Sequence, residues 1–131
     1  MDFDAGLTAT TVDKLRFDVG AGASEFSVGN NDTNIVFASG GTGALNVAGT
    51  EIGVKTDASV TTAGVQGAID GYGNITTGAL FVFHNSDVNR AQVWYDPNPS
   101  VAGDAVLVAE LDNITTLAGL ANFNAGDFEF F

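Results

Sequence analysis

The sequence predicts an all-β domain, a β-sandwich or a β-roll-capping sheet with one or two short helices. Three observations point that way. Gly, Thr, Val, Phe, Asn and Asp are plentiful, whereas Lys and Arg together number four and Glu and Gln are scarce, so the usual filling of exposed helices is missing. Short apolar runs alternate with clusters of Gly, Asn, Asp and Ser, the punctuation of tight turns. Hydrophobic residues make up 45% of the 131 and charged residues 15%, which is enough for a real core and too apolar for intrinsic disorder.

Residues 14–19 alternate with period two and put Leu15, Phe17 and Val19 on one buried face. Residues 25–28 and 34–38 read as two further strands, joined as a hairpin by the polar turn at 29–33. Residues 44–47 and 51–55 are shorter strands interrupted by glycine. From Ser59 to Asp70 the period changes. Val60, Val65, Ala68 and Ile69 fall at helical spacings, Thr61 or Thr62 can cap the start, and Gly71 ends the helix. Residues 79–84 and 91–95 flank the polar loop 85–90 and form the clearest hairpin. Residues 105–111 are long enough for a central strand. One or two helical turns are expected over 115–121, and a last strand over 127–131. No repeat or linker divides the chain, so residues 1–131 form one domain, with residues 1–53 as its strand-rich first half and 54–131 as its second.

Sixteen acids against four bases leave a net charge of −12. Such a chain repels nucleic acid and acidic membrane surfaces and attracts cations. The absence of cysteine excludes disulfides, thiolate metal sites and Cys nucleophiles. No apolar run reaches the ~18 residues of a membrane span, so no membrane insertion is expected. The segment Met1-Asp2-Phe3-Asp4 is acidic, unlike a Sec-type signal peptide.

The catalytic inventory is thin. His84, the single histidine, stands at a strand end, and no G-x-S-x-G turn presents a serine to it. Gly20-Ala21-Gly22 and Gly71-Tyr72-Gly73 begin like phosphate loops but neither is completed. Zinc lacks ligands. Hard-cation chemistry remains. Asp96, Asn98 and Ser100 place oxygen side chains at alternate positions, and Asp104 adds a carboxylate, so calcium is the expected ion at these four residues. The same segment, with Pro97 and Pro99, also suits a rigid turn between two strands. Asp87 with Asn89, and Asn30 with Asp32, are weaker candidates of the same kind. Residues 39–47 nearly fit the calcium nonapeptide G-G-x-G-x-D-x-U-x, but Leu45 stands where the aspartate belongs. The Asn-x-Thr triplets at 31, 74 and 113 carry no functional weight.

The second half resembles the C-terminal region of RTX-type (repeats-in-toxin) proteins exported by bacterial type I secretion systems. Gly78-Ala79-Leu80-Phe81-Val82-Phe83, Val93-Trp94-Tyr95-Asp96-Pro97-Asn98, Gly103-Asp104-Ala105-Val106-Leu107 and the closing Asp127-Phe128 carry the likeness. Asp2-Phe3-Asp4-Ala5-Gly6 resembles the segment that follows the last calcium repeats in such proteins, which suggests an excised terminal domain. The repeats themselves are absent. The resemblance implies a non-catalytic secretion and folding module of an extracellular protein, with residues 54–131 as its secretion-type region. It implies recognition of the last residues, Asp127, Phe128, Glu129, Phe130 and Phe131, by an ABC transporter and its partner proteins. Folding would then follow outside the cell, where calcium is high. The rival expectation is a surface interaction module, an adhesin, S-layer or carbohydrate-binding domain, in which Trp94, Tyr95 and Tyr72 line an exposed platform.

Overall fold

The computed structural model describes Phe3 and residues 13–19, 26–30 and 32–131. The Gly20-Ala21-Gly22 run, Asp2, Asp4, Ala5, Gly6, Glu25 and Asn31 lie outside the described residues. Among the described residues, seven strands form two sheets with only short helical segments between them, an all-β architecture.

The larger sheet has five strands. β2 (Phe37–Gly40), β3 (Ile52–Lys55) and β4 (Ala79–Asn85) run parallel, and β4, β5 (Arg90–Asp96) and β6 (Val106–Leu111) continue as an antiparallel meander. Parallel neighbours need crossovers. The helical turn α1 (Thr42–Leu45) lies in the first, and α2 (Val65–Asp70), preceded by a 3-10 turn over Thr62–Gly64, lies in the second. The smaller sheet pairs β1 (Leu15–Phe17) in parallel with β7 (Phe128–Phe130).

The unbroken apolar run of β4 follows from its position, because it is covered on both faces. On one face Ile52, Val54, Leu80, Val82, Ala91, Val93 and Leu111 meet Leu15, Phe17, Phe128 and Phe130 of the small sheet, as in a sandwich with unequal halves. On the other, Ala79, Phe81 and Phe83 are covered by Leu45, Val65, Ile69, Tyr72 and Ile75 from the helical layer. There the Tyr72 and Phe81 rings stack with centroids 5.1 Å apart, and Phe81 stacks on Phe83 at 6.1 Å.

Several expectations agree with these elements. Leu15, Phe17 and Val19 are all buried, the 79–84 and 91–95 strands form a hairpin, and Thr61 Oγ1 caps the 3-10 turn leading into α2 by accepting from the Gly64 N–H at 3.1 Å. Others are corrected. Residues 26–28 form no strand and no hairpin with 34–38. Instead Phe26 packs edge-on against Tyr95 and Phe17, while β2 pairs with β3. Residues 44–47 are not a strand; α1 turns there so that Leu45 is buried in the helical layer. The nonapeptide-like run thus uses Leu45 for packing where the calcium repeat uses aspartate. Residues 106–111 form an edge strand rather than a central one, with Val106 and Leu107 exposed. The division between residues 53 and 54 falls inside β3.

Candidate functional site

Asp96 is the last residue of β5 and lies opposite Ala79 of β4, on the face covered by the helical layer. It is fully buried. Its Oδ1 accepts the Asn98 N–H at 2.8 Å, whereas its Oδ2 is buried with no hydrogen-bond partner. Burial pushes the Asp96 carboxyl above the usual carboxylate range. The Asn98 N–H and the Gln66 side chain offset this in part, and the charges of Asp70 and Asp104 push it further up.

The neighbours come from α2 as well as from the loop. Gln66 and Asp70 stand one helical turn apart, and Gln66 Nε2 donates to Asp70 Oδ1 at 2.8 Å. Gln66 Oε1 accepts the Ala105 N–H at 3.1 Å, and Asp70 Oδ1 accepts the Gly103 N–H at 3.3 Å. These bonds hold the 97–105 loop against the helix. Of the four expected calcium ligands, Asp96 is buried and Asp104 is exposed, its charge bearing on the Asp96 carboxyl. Asn98 and Ser100 turn toward each other, with Asn98 Oδ1 accepting from Ser100 Oγ at 2.6 Å and from its N–H at 3.2 Å. The expected Pro-braced turn is therefore formed, with Asn98 Oδ1 locking it. Asp70 and Gln66 escaped the sequence reading, because nothing in a loop motif signals residues so far upstream; their only mark is i, i+4 spacing on the expected helix. The donor set is all hard oxygen, suited to calcium rather than to a softer ion. Among the described residues no three carboxylate, imidazole or thiol groups converge closely enough to hold a metal ion.

His84 does have a hydroxyl partner. Its Nε2 can only donate to the Thr115 carbonyl, 3.1 Å away, and Nδ1 shares a hydrogen bond of 2.7 Å with Ser59 Oγ. The ring is buried and lines neither of two surface cavities, of about 300 and 210 Å³. Its other partner is a carbonyl, where a Ser–His–Asp arrangement would have a carboxylate.

The closing segment is divided between core and surface. Asp127 is fully buried and forms a capping box with Asn124: its Oδ2 accepts the Asn124 N–H at 2.8 Å. Phe128 and Phe130 point into the core beside Phe37, Phe123 and Phe17. Glu129 pairs with Arg16 at 3.4 Å, and Phe131 is 53% exposed beneath the Arg16 guanidinium, 4.7 Å from the ring centroid.

Comparison with protein-family models, with curated proteins and with solved structures finds no match.

The expected aromatic platform is not formed. Adjacent residues on a strand face opposite ways, so Trp94 packs toward the helical layer and Tyr95 toward the small sheet, while Tyr72 is fully buried. Tyr95 Oη instead clamps Ser27, donating to its carbonyl and accepting its N–H, each at 3.1 Å. The weaker candidates serve as turn locks. Asp32 accepts the Asn34 N–H at 2.8 Å, and Asp87 accepts the Thr62 N–H at 2.8 Å across from α2. Asn89 takes a positive φ of 51° in the β4–β5 turn. A further buried carboxylate, Glu51, lies in the larger cavity beside Asn30, Thr76 and Thr77. Its Oε2 accepts the Val36 N–H at 2.8 Å, which ties the entry to β2 onto β3. Burial pushes its carboxyl up, and the Val36 and Asn30 N–H groups hold it back.

Proposed function

We propose that this chain is a non-catalytic secretion and folding module of an exported bacterial protein of the RTX type. A type I ABC transporter and its partner proteins recognise its closing segment in the unfolded chain. Calcium, bound around Asp96 and Asp104 in the Asp96–Asn98–Ser100–Asp104 loop, stabilises the domain after release outside the cell. Nucleic acid and membrane insertion have no place in this reading; among the described residues no helix is long and apolar enough to cross a membrane.

The observation that carries the reading is the alternation within residues 127–131. Phe128 and Phe130 are apolar anchors that any groove could take while the chain is extended, and both are removed from solvent once β7 pairs with β1. A segment offered in one state and withdrawn in the other fits export followed by folding. Recognition then needs no surface on the folded domain. The net charge of −12 acts in the same direction, since self-repulsion disfavours compaction where divalent cations are scarce.

Fusion of residues 1–131 to an unrelated passenger tests the reading in cells carrying a type I transporter that serves RTX proteins. The passenger is expected in the medium, and at least tenfold less of it when Phe128 and Phe130 are both changed to Ser. Retention of the unaltered fusion in cells whose transporter exports its own substrate would overturn the proposal.

A further inference from the structure

A carboxylate oxygen buried without a hydrogen bond is unfavourable, because the interior gives its charge nothing to replace water. Asp96 Oδ2 makes no hydrogen bond in a residue with no exposed surface, and among side chains only that of Gln66 stands near enough to favour the carboxyl's charge. It does not stand alone. Asp70, at the end of α2, and Asp104, on the loop, both bear on it electrostatically, and Gln66 bridges the helix and the loop between them. Like charges gathered around an unsatisfied buried oxygen oppose the fold unless a proton or a cation joins them. Asp104 is exposed.

We propose that Asp96, Asp70 and Asp104 close around a divalent cation, calcium in an extracellular setting, with Asp96 Oδ2 as the buried anchoring oxygen and Asp70 as the ligand contributed by α2. This deepens the calcium part of the function proposed above and rests on it, but it is independent of export. It also changes the ligand set. Asn98 and Ser100, whose side-chain oxygens already serve each other, shape the turn and do not bind the ion. Calcium fits better than magnesium, since it accepts six to eight oxygens in irregular arrangements while magnesium demands a near-ideal octahedron. A bound ion would join α2 to the loop between β5 and β6, two elements otherwise held by the Gln66 and Asp70 bonds.

Trp94 offers a direct readout. It is the single tryptophan and stands two residues from Asp96 on the same face of β5, about 7 Å along the strand. Terbium, a calcium stand-in of similar radius and ligand taste, should therefore luminesce when Trp94 is excited. The experiment measures thermal melts in chelator and in millimolar calcium at matched ionic strength, and terbium luminescence, on the unaltered chain and on Asp70→Asn, Asp96→Asn and Ser100→Ala. The unaltered chain and Ser100→Ala are expected to gain several degrees with calcium and to show sensitised terbium emission displaced by calcium. Asp70→Asn and Asp96→Asn, which keep an amide oxygen to accept the present hydrogen bonds, should lose both responses while still melting cooperatively. A calcium shift retained in Asp70→Asn and lost in Ser100→Ala would overturn this ligand set and leave the loop-only calcium reading standing. No shift and no emission in the unaltered chain would overturn both, whatever the export assay shows. Should Asp96→Asn fail to fold, Asp70→Asn and Asp104→Asn decide the matter alone.

Discussion

Gly78 shows how much of this fold depends on a single missing methyl group. It lies just before β4, and a Cβ there would overlap the Ser27 carbonyl oxygen and come within 3.0 Å of Tyr95 Oη. The Gly78 carbonyl also accepts the Gly29 N–H at 2.9 Å. The 26–29 segment is thus laid on the chain at Gly78 and clamped by Tyr95, with no strand of its own. Gly78→Ala is expected to cost about 3 kcal/mol, the upper end for overpacking, because the obstructing atom is backbone and cannot swing away. Gly67, inside α2 with open space around its Cα, is the opposite case. Gly67→Ala should stabilise by about 0.5–1 kcal/mol through helix propensity. Urea denaturation measures both; a loss under about 0.5 kcal/mol at Gly78 would mean that residues 26–29 do not sit there in solution. Gly67 was legible as a weak point inside the expected helix, whereas the close approach at Gly78 was not, because it depends on what the rest of the chain brings against it.

At the level of elements, what could be read from sequence was what is local. The β4–β5 hairpin announces itself through two apolar runs and one polar loop, and α2 through its spacing, Thr61 and Gly71. The parallel pairing of β2, β3 and β4 left no such mark, because a parallel neighbour is chosen by a crossover and not by a turn. Residues 44–47 misled for the same reason: Leu45 and Val47 mimic strand alternation, yet only Leu45 is buried. The candidate site was half legible, with Asp96 and Asp104 in the loop and Asp70 hidden on another element. β1 and β7 were each legible as strands, but their parallel pairing was not. That pairing yields a sharp contrast between neighbours. Phe130→Ala, in the core between β1 and the large sheet, should cost about 3–5 kcal/mol. Phe131→Ala removes an exposed ring and one cation–π contact, and should cost less than about 1 kcal/mol. Equal losses in denaturant melts of the two variants would show that β7 does not pair with β1 as described.

For the molecule as a whole, the balance of charge decides how it answers to salt. Among the described residues, Arg16 pairs with Glu129, Lys55 with Asp57 at 2.6 Å, and Arg90 with Glu110 and Asp112. Salt weakens these attractions, but exposed pairs are worth only about 0–1 kcal/mol each. Lys55 is largely buried, so its pair is shielded least. The opposing term is the repulsion among the carboxylates that no base offsets, and it acts across the whole surface. At about 0.01 M salt the Debye length is ~30 Å, comparable to the domain itself, so every surface charge senses the others; at about 1 M it is ~3 Å and the repulsion is confined to near neighbours. Screening therefore removes more repulsion than attraction. In chelator, the melting temperature should rise by several degrees between those limits, steeply at first and then levelling as the Debye length falls below the spacing of the acids. A melting temperature that falls with sodium chloride would mean that the few ion pairs outweigh the net charge, and that the domain's anionic surface imposes no cost on folding.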